Sequence, residues 1–299
     1  FIYSYFCIII VVLKVKPDLI QTWLYKADFM GSLVSLATKY KLFWSLHHSK
    51  PSTKLIGIKT ILAFKSLSIL SYIFPKKIIC CGNSVKIFHS KIGFDKKKLS
   101  TIFNGYSSEI FNTKINDKYT RYFKLNNKIV LGSITRWDKY KDFTTLFSSL
   151  NLLDKKFSNW ILLLAGRGLN ENNTDLKNLL SKYGIKEKVI LMGIVDDIEN
   201  LYKTFDINLL ISNAEAFPNV IAESMLSGIP CIASDVGDNK MIISNLGSTV
   251  KVNDEVDLSS KILKFVTKLS NKDYKQKLKI LCRKRIKKKF SLLSMIKNY

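Results

Sequence analysis

Two glutamates lie eight residues apart in a stretch that predicts a strand end, a loop and the start of a helix. Glu215 falls in the loop, and Glu223 falls in the first turns of a helix that enters near Pro218. Ligands of open parallel sheets bind at the carboxyl ends of strands, and anionic groups favour helix N-termini because free N–H groups point there. The spacing is compatible with a site where carboxylates and exposed amides meet a phosphate or a set of sugar hydroxyls. From the residues alone, however, isolated glutamates at such places are more often a surface loop residue and a solvated helix residue.

A basic pair follows the first strand predicted in the second half of the chain. Arg136 and Lys141 lie five residues apart, shortly after Gly132. A guanidinium fork and a flexible ammonium at a strand end suit a diphosphate. In a chain with 48 basic residues, however, one Arg and one Lys carry little information by themselves.

Glycines end two further predicted strands. The Gly-x-Gly at 166–168 lacks the third glycine of a dinucleotide-binding loop, because Glu171 stands at that position. Gly193 ends the next strand along the chain. By itself, a lone Gly-x-Gly is weak evidence for a nucleotide site.

Together these segments resemble those of the retaining glycosyltransferases of family 4, which have the two-domain GT-B fold. The similarity is carried by the Glu-x7-Glu spacing, by the Gly-x-x-x-Arg-x-x-x-x-Lys pattern that begins at Gly132, and by residues 228–237. It extends from about Lys16 to Tyr299. The resemblance implies an α/β protein with two Rossmann-like domains facing each other across a cleft. We expect the N-terminal domain to be incomplete, because it has few predicted strands and no glycine-rich loop.

The resemblance also implies a role for each candidate residue. Glu223 is expected to hold the nucleotide ribose, and Glu215 is expected to contact the donor sugar. Arg136 and Lys141 are expected to clamp the pyrophosphate and to stabilise the charge of the departing nucleotide. The backbone amides of residues 217–219 are expected to bind the sugar hydroxyls.

Histidines supply a further candidate. His47 and His48 follow a predicted strand, and from the residues alone a functional role and an exposed loop are equally open. In the family a histidine at this place faces the donor sugar, and His47 fits the alignment better. His89 is expected on the surface. The predicted catalytic residues are Glu215, His47, Arg136 and Lys141, and the predicted donor-binding residues are Gly132, Arg136, Lys141, Gly166, Gly193, Glu215, Ala216, Phe217, Pro218, Asn219, Val220 and Glu223.

The activity that the resemblance implies is transfer of a sugar, with retention of configuration, from a nucleotide-diphosphate sugar to a glycan or lipid-linked acceptor. Uridine or guanosine is expected as the nucleotide, while the sugar and the acceptor stay open. No Asp-x-Asp signature is present, so we expect neither a metal nor a further cofactor. A catalytically impaired remnant that only binds the nucleotide sugar is an alternative.

The composition is strongly basic, which bears on the partners that the chain could bind. The 48 Lys and Arg residues against 23 Asp and Glu residues give a net charge of +25, which favours anionic partners. Since the charges are spread over the whole chain and Lys exceeds Arg, a basic protein that binds nucleic acid or an anionic surface is the weaker alternative. No specific nucleic acid is expected. We expect a cytoplasmic protein, and peripheral contact with the anionic face of a membrane is a hypothesis supported by the basic segment Arg283–Lys289.

Alternating apolar runs and helix-length segments predict parallel sheets covered by helices. We expect a partial N-terminal domain at residues 1–115, a nucleotide-sugar domain at 116–285 and a returning C-terminal helix at 286–299. The apolar segment Phe1–Leu13 is too short to span a bilayer and is expected to be a buried helix or strand. The predicted strands are Asp18–Thr22, Leu42–Leu46, Lys77–Cys80, Ser100–Phe103, Ile129–Ser133, Trp160–Ala165, Val189–Met192, Ile207–Ile211, Pro230–Ala233 and Ser248–Val250, and the predicted helices are Phe143–Leu153, Leu176–Tyr183, Ile198–Phe205, Val220–Ser227 and Lys240–Ser244.

Overall fold

A computed structural model of the chain describes residues 2–49, 58–113 and 117–299. They form two compact units. The first unit contains Phe1–Asn104, Ala214–Phe217 and Asn298–Tyr299, and the second contains Gly105–Asn213 and Pro218–Lys297. Each unit is an α/β structure with a parallel sheet.

In the described residues, the first unit contains a four-stranded parallel sheet whose strand order follows the chain. Trp44 and Ile78 lie at its centre and are fully buried, so helices must cover both faces. The elements of this unit are α1 (Ile2–Val15), β1 (Leu19–Trp23), α2 (Tyr25–Thr38), β2 (Lys41–Leu46), α3 (Ile58–Ile73), β3 (Lys77–Cys80), α4 (Asn83–Lys91) and β4 (Leu99–Thr101).

The first helix corrects one expectation. We predicted that Phe1–Leu13 is buried; Phe1 lies outside the described residues, and in helix α1 the only buried residue is Val12. Apolar side chains surround this helix on all sides, whereas only one face packs against α2. The remaining apolar side chains are therefore exposed. Within residues 2–49, 58–113 and 117–299, no helix has both the length and the apolar character needed to cross a membrane.

The second unit contains, among its described residues, a six-stranded parallel sheet. Its elements are α5 (Lys118–Tyr122), β5 (Ile129–Ile134), α6 (Phe143–Asp154), β6 (Trp160–Ala165), α7 (Thr174–Lys182), β7 (Val189–Gly193), α8 (Ile198–Tyr202), β8 (Ile207–Leu210), α9 (Asn219–Leu226), β9 (Cys231–Ser234), α10 (Asn239–Ile243), β10 (Ser248–Val250), α11 (Glu255–Leu269), α12 (Lys272–Lys289) and α13 (Leu292–Asn298). The strand order is β10-β9-β8-β5-β6-β7, and every residue of β6 is buried. Such a strand, buried on both faces, reads as a continuous apolar run rather than as an alternating one.

The division between the units differs from the predicted one. We placed the domain boundary between residues 115 and 116, which lie outside the described residues, whereas the first unit ends at Asn104. The backbone N–H of Tyr106 donates to the carbonyl of Phe290 at 3.0 Å. The guanidinium of Arg283 donates to the carbonyl of Phe111 at 2.6 Å. These contacts with the C-terminal helices place the segment after Asn104 in the second unit.

A buried carboxyl lies in the core of the first unit. Asp28 on α2 is fully buried, and its Oδ1 accepts a hydrogen bond from the hydroxyl of Thr22 at 2.6 Å. Its Oδ2 has no hydrogen-bond partner among the described residues. Burial raises the pKa of Asp28 from 3.8 to about 7, although the hydrogen bond from Thr22 opposes this shift.

The protonation of Asp28 predicts a pH-dependent stability. Because the native state holds a proton that the unfolded chain releases near pH 4, the stabilisation is full below that pH and is lost as the pH rises towards about 7. We expect the free energy of unfolding at pH 5 to exceed that at pH 8 by at most about 3 kcal/mol. Asp28→Asn should remove this difference in urea unfolding measured at both pH values.

The exposed Asp18 provides a matched control in the same unit. Asp18→Asn should keep the pH dependence of the parent chain. An Asp28→Asn variant with the same pH dependence as the parent would show that Asp28 is ionised in the folded protein at neutral pH.

Candidate functional site

Three loops meet at the carboxyl edge of the six-stranded sheet. The loop after β5 is joined to the end of β6, because the N–H of Thr135 donates to the carbonyl of Ala165 at 2.9 Å. The loop after β6 is joined to the end of β7, because the N–H of Gly166 donates to the carbonyl of Gly193 at 2.6 Å. Since parallel strands end at the same edge, these contacts fix the three loops relative to one another.

Glycine is required at position 166. Its φ of +134° is a conformation that L side chains rarely adopt, and a Cβ atom there would lie 1.5 Å from the carbonyl oxygen of Thr135. Gly132 is also enclosed, since a Cβ atom on it would lie 2.1 Å from the ring of Phe205. Gly193 has a φ of +64°. The glycines therefore allow the backbones to approach closely.

The basic pair lies on the loop after β5. The side chain of Arg136 is 62% exposed, and its Nε contacts Oδ2 of Asp138 at 3.1 Å. Lys141 forms an antiparallel bridge with Ser212, which follows β8. Both cations thus belong to one loop that is attached to two strand ends.

A cavity of about 550 Å³ opens beside Lys141. Asp142 on its wall caps helix α6 by accepting hydrogen bonds from the backbone N–H and the hydroxyl of Thr145. The lining residues are Trp137, Asp138, Lys139, Lys141, Asp142, Phe143, Thr144, Leu179 and Asn213. Neither Arg136 nor Glu223 lines this cavity.

Helix α9 carries the second glutamate of the motif. It begins at Asn219, directly after the buried Pro218, and the side chain of Glu223 is half-buried one turn later. The hydroxyl of Tyr202 donates to Oε2 of Glu223 at 2.9 Å. Burial raises the pKa of Glu223, and the hydrogen bond from Tyr202 opposes that rise. A partly desolvated carboxylate in this place can accept hydrogen bonds from hydroxyl groups of a ligand.

Two tyrosines that the sequence analysis missed contact this helix. Besides Tyr202, the hydroxyl of Tyr106 donates to Oδ1 of Asn219 at 2.7 Å. Tyr106 stands after the last predicted strand of the N-terminal domain, and Tyr202 stands in the predicted helix Ile198–Phe205. Neither position carries a motif that could have identified it, because the contacts arise only when α8 and the segment after Asn104 pack beside α9.

The two glutamates belong to different units. Ala214–Phe217, the loop that contains Glu215, lie in the first unit, whereas Glu223 lies in the second. The hydroxyl of Ser49 donates to the backbone carbonyl of Glu215. The hydroxyl of Ser84 donates to the carbonyl of Ala216 at 3.3 Å, and the ring of Phe217 lies 5.5 Å from that of Phe103. Residues that follow β2, β3 and β4 therefore hold this loop in place.

The histidines of the first unit have different environments. His47 is half-buried, and its Nε2 is buried with no hydrogen-bond partner among the described residues. Burial lowers the pKa of His47, with a smaller contribution from His48. The exposed His48 places its ring 5.6 Å from the ring of Tyr25. The lowered pKa favours the neutral form of His47.

His89 corrects another expectation. We predicted a surface position, but the side chain is fully buried. Its Nδ1 donates to the carbonyl of Val85 at 2.8 Å, so its Nε2 accepts from the hydroxyl of Tyr25 at 2.9 Å. Burial lowers the pKa of His89 to about 4. The apolar face of α4 carries this residue into the core, where both ring nitrogens find partners.

The structure therefore brings the predicted residues together in two groups. In the second unit, one sheet edge carries Gly132, Arg136, Lys141, Gly166, Gly193, Pro218, Asn219, Val220 and Glu223. In the first unit, Glu215, Ala216 and Phe217 lie with the strand that ends before His47. Among the described residues, no three His, Cys, Asp or Glu side chains are grouped so that they could hold a metal ion.

Two curated relatives are glycosyltransferases by name. The chain is 27% identical over 252 residues to UDP-Gal:alpha-D-GlcNAc-diphosphoundecaprenol alpha-1,3-galactosyltransferase of Escherichia coli, covering 81% of this chain and 64% of that enzyme. It is 23% identical over 295 residues to the capsular polysaccharide biosynthesis glycosyltransferase CapM of Staphylococcus aureus, covering 93% of this chain and 74% of CapM. The chain thus spans less than two thirds of the first of these relatives.

A solved structure shares the fold. The crystal structure of HepE from Anabaena in complex with UDP-glucose superposes with a TM-score of 0.87 at 18% identity, covering 98% of this chain and 80% of HepE. This likeness confirms the α/β, GT-B fold predicted from the sequence. The family model "Glycosyl transferases group 1" matches residues 116–280, more than half of the chain. The chain belongs to the glycosyl transferases group 1 family.

Proposed function

We propose that this chain transfers a sugar, with retention of configuration, from a uridine diphosphate sugar to a hydroxyl of a glycan or lipid-linked acceptor. The observation that carries the proposal is the carboxyl edge of the six-stranded sheet, where the loop of Arg136 and Lys141 meets the strand that leads to Glu223. Uridine is preferred to guanosine because the E. coli relative is named for a UDP-sugar and HepE is bound to one.

The diphosphate is assigned to the loop after β5. The exposed guanidinium of Arg136 can rotate from Asp138 onto phosphate oxygens, since a surface ion pair contributes little stability. Lys141 supplies a second cation on the same loop, and the N-terminus of α9 adds the positive end of a helix dipole. Positive charge placed where the leaving nucleotide gains negative charge lowers the barrier to transfer.

The ribose is assigned to Glu223 and the sugar to the first unit's loop. An ionised Glu223 has acceptor oxygens for the ribose hydroxyls, and its half-buried position strengthens such hydrogen bonds. Glu215, with the backbone of residues 216–219, is assigned to the sugar hydroxyls. His47, whose lowered pKa favours the neutral form, is also assigned to the donor sugar, because among the described residues its Nε2 has no hydrogen-bond partner.

We also propose that the reaction needs no metal ion. Arg136, Lys141 and the N-terminus of α9 supply the positive charge that a divalent cation would provide elsewhere. A chain that binds the donor without transferring the sugar is the alternative, and it differs from the proposal in turnover rather than in nucleotide binding.

Nucleotide binding tests the assignment directly. We expect calorimetric titration with UDP to give one site, and Glu223→Gln and Arg136→Ala each to weaken it by about 10-fold or more, since each variant removes a charge-assisted hydrogen bond. The exposed Lys156, which lies on the opposite edge of the sheet after α6, serves as the control, and Lys156→Ala should bind UDP as the parent does.

The titrations are carried out with EDTA present. Binding of UDP that appears only after Mg²⁺ or Mn²⁺ is added would contradict the metal-free proposal. No binding of UDP, or binding that neither Glu223→Gln nor Arg136→Ala weakens, would contradict the donor site itself.

Contact with an anionic membrane surface is the partner that helix α12 supports best. The last acidic residue of the chain is Asp273, so the rest of α12 carries only positive charge. A groove of about 510 Å³ follows this helix and exposes Ile280 beside its cations. Its lining residues are Thr113, Gln276, Lys279, Ile280, Arg283, Lys284, Lys287 and Lys288. Clusters of this kind are attracted to anionic lipids.

Vesicle sedimentation tests the membrane contact. We expect binding to phosphatidylcholine vesicles with about 30% phosphatidylglycerol, little binding to phosphatidylcholine alone, and a decrease with salt. Reversing Lys284, Lys287 and Lys288 to Glu should abolish most of the binding. The matched control reverses the exposed Lys155, Lys156 and Lys186, which changes the net charge equally. Equal loss in both triple variants would show that only net charge acts, not this helix.

A further inference from the structure

Two buried tyrosines contact α9 at positions one turn apart. The hydroxyl of Tyr106 donates to Oδ1 of Asn219 at 2.7 Å, and that of Tyr202 donates to Oε2 of Glu223 at 2.9 Å. Asn219 and Glu223 are four residues apart, so their side chains share one face of the helix. Both tyrosine side chains are buried, whereas Asn219 is exposed and Glu223 is half-buried. On this face of α9, Asn219 and Glu223 therefore contact buried tyrosines and are also accessible to a ligand.

Both hydroxyl groups are held by rigid surroundings. The ring of Tyr202 makes edge contacts with Phe205 and Phe111 at centroid distances of 5.9 and 6.0 Å. Tyr106 is fixed through its backbone, because its N–H donates to Phe290 and its carbonyl accepts from the N–H of Leu292 at 3.2 Å. Both side chains are also buried, so neither tyrosine can turn away without disturbing the packing around its ring.

The end of α8 also supports the other half of the donor site. Phe205, three residues after Tyr202, packs against Gly132 so closely that a Cβ atom there would lie 2.1 Å from its ring. One short segment therefore contacts both the strand that precedes Arg136 and the carboxylate of Glu223. The relative position of these two groups depends on this segment.

We propose that Tyr106 and Tyr202 are positioning residues that hold Asn219 and Glu223 in the orientation in which α9 binds the donor nucleotide. The inference rests on the proposed function, in which Glu223 binds the ribose. Neither tyrosine touches the reacting atoms, and both act through the side chain to which they donate. This division leaves the second oxygen of Glu223 for the ligand.

The hydrogen bond from Tyr202 also favours the ionised form of Glu223. Burial raises the pKa of Glu223, and the donated hydrogen bond opposes that rise. The other titratable groups that act on Tyr202 are Tyr106 and Cys231, and burial raises the pKa of the Cys231 thiol to about 11. Without the hydroxyl of Tyr202, the pKa of Glu223 should be higher. As the pH is lowered, nucleotide binding by the variant should therefore begin to weaken at a higher pH than binding by the parent chain.

The test is calorimetric titration of the full chain with UDP between about pH 5 and pH 9. Tyr202→Phe keeps the ring in the core and should weaken UDP binding by about 5- to 20-fold, and Tyr106→Phe by about 3-fold. In Tyr202→Phe the pH below which binding declines should move upward. On a Glu223→Gln background, Tyr202→Phe should cause no further loss. Tyr183 lies in the same unit at the end of α7, and Tyr183→Phe should leave both the affinity and the pH profile unchanged.

The outcomes separate this inference from the proposed function. If Glu223→Gln weakens UDP binding but Tyr202→Phe matches the parent at every pH, the positioning role is wrong. An equal loss from Tyr202→Phe with and without Glu223→Gln would indicate a general structural effect and would also overturn it. If the Tyr202→Phe chain does not fold, Tyr106→Phe is tested instead, with and without Asn219→Ala. A loss of UDP binding that is the same on both backgrounds would overturn the inference. If Glu223→Gln binds UDP as tightly as the parent chain, the proposed function itself is wrong.

Discussion

The second unit depends on the close approach of backbones at the carboxyl edge of its six-stranded sheet. Gly166 has a conformation and a neighbour that exclude a side chain, and its N–H reaches the carbonyl of Gly193. This contact aligns the ends of β6 and β7, and a second one aligns Thr135 with the end of β6. Because Arg136 follows Thr135 directly, the position of the proposed phosphate clamp is set by backbone geometry rather than by side-chain packing.

Buried polar groups connect this scaffold to the chemistry. Glu223 loses part of its hydration on the helix after β8, and the hydrogen bond from Tyr202 replaces some of it. A carboxylate held in this way binds hydroxyl groups more strongly than one in water, because the surroundings are less polar. In the first unit, Asp28 and His89 are buried as well, but their partners are internal. Both side chains therefore belong to the core of the first unit, whereas His47 keeps a ring nitrogen without a partner among the described residues.

The sequence predicts the sheets well because their strands are short apolar runs separated by turns. The strand at Trp160–Ala165 agrees with the structure at both ends, since full burial demands an unbroken apolar run. Helix α1 shows the opposite case: an apolar segment predicts a helix or strand but does not reveal whether anything covers it. His89 was misplaced because a histidine next to basic residues reads as exposed, whereas its ring is carried inwards by the face of α4. Tyr106 and Tyr202 escaped notice because tertiary contacts between distant segments leave no local pattern.

The central claim is that Arg136, Lys141 and Glu223 together bind the nucleotide of the donor. A crystal structure of the chain with UDP tests this claim most directly. We expect phosphate oxygens about 3 Å from the side-chain nitrogens of Arg136 and Lys141, and ribose hydroxyls about 3 Å from an oxygen of Glu223. UDP bound elsewhere on the second unit, with Glu223 contacting only Tyr202, would contradict it.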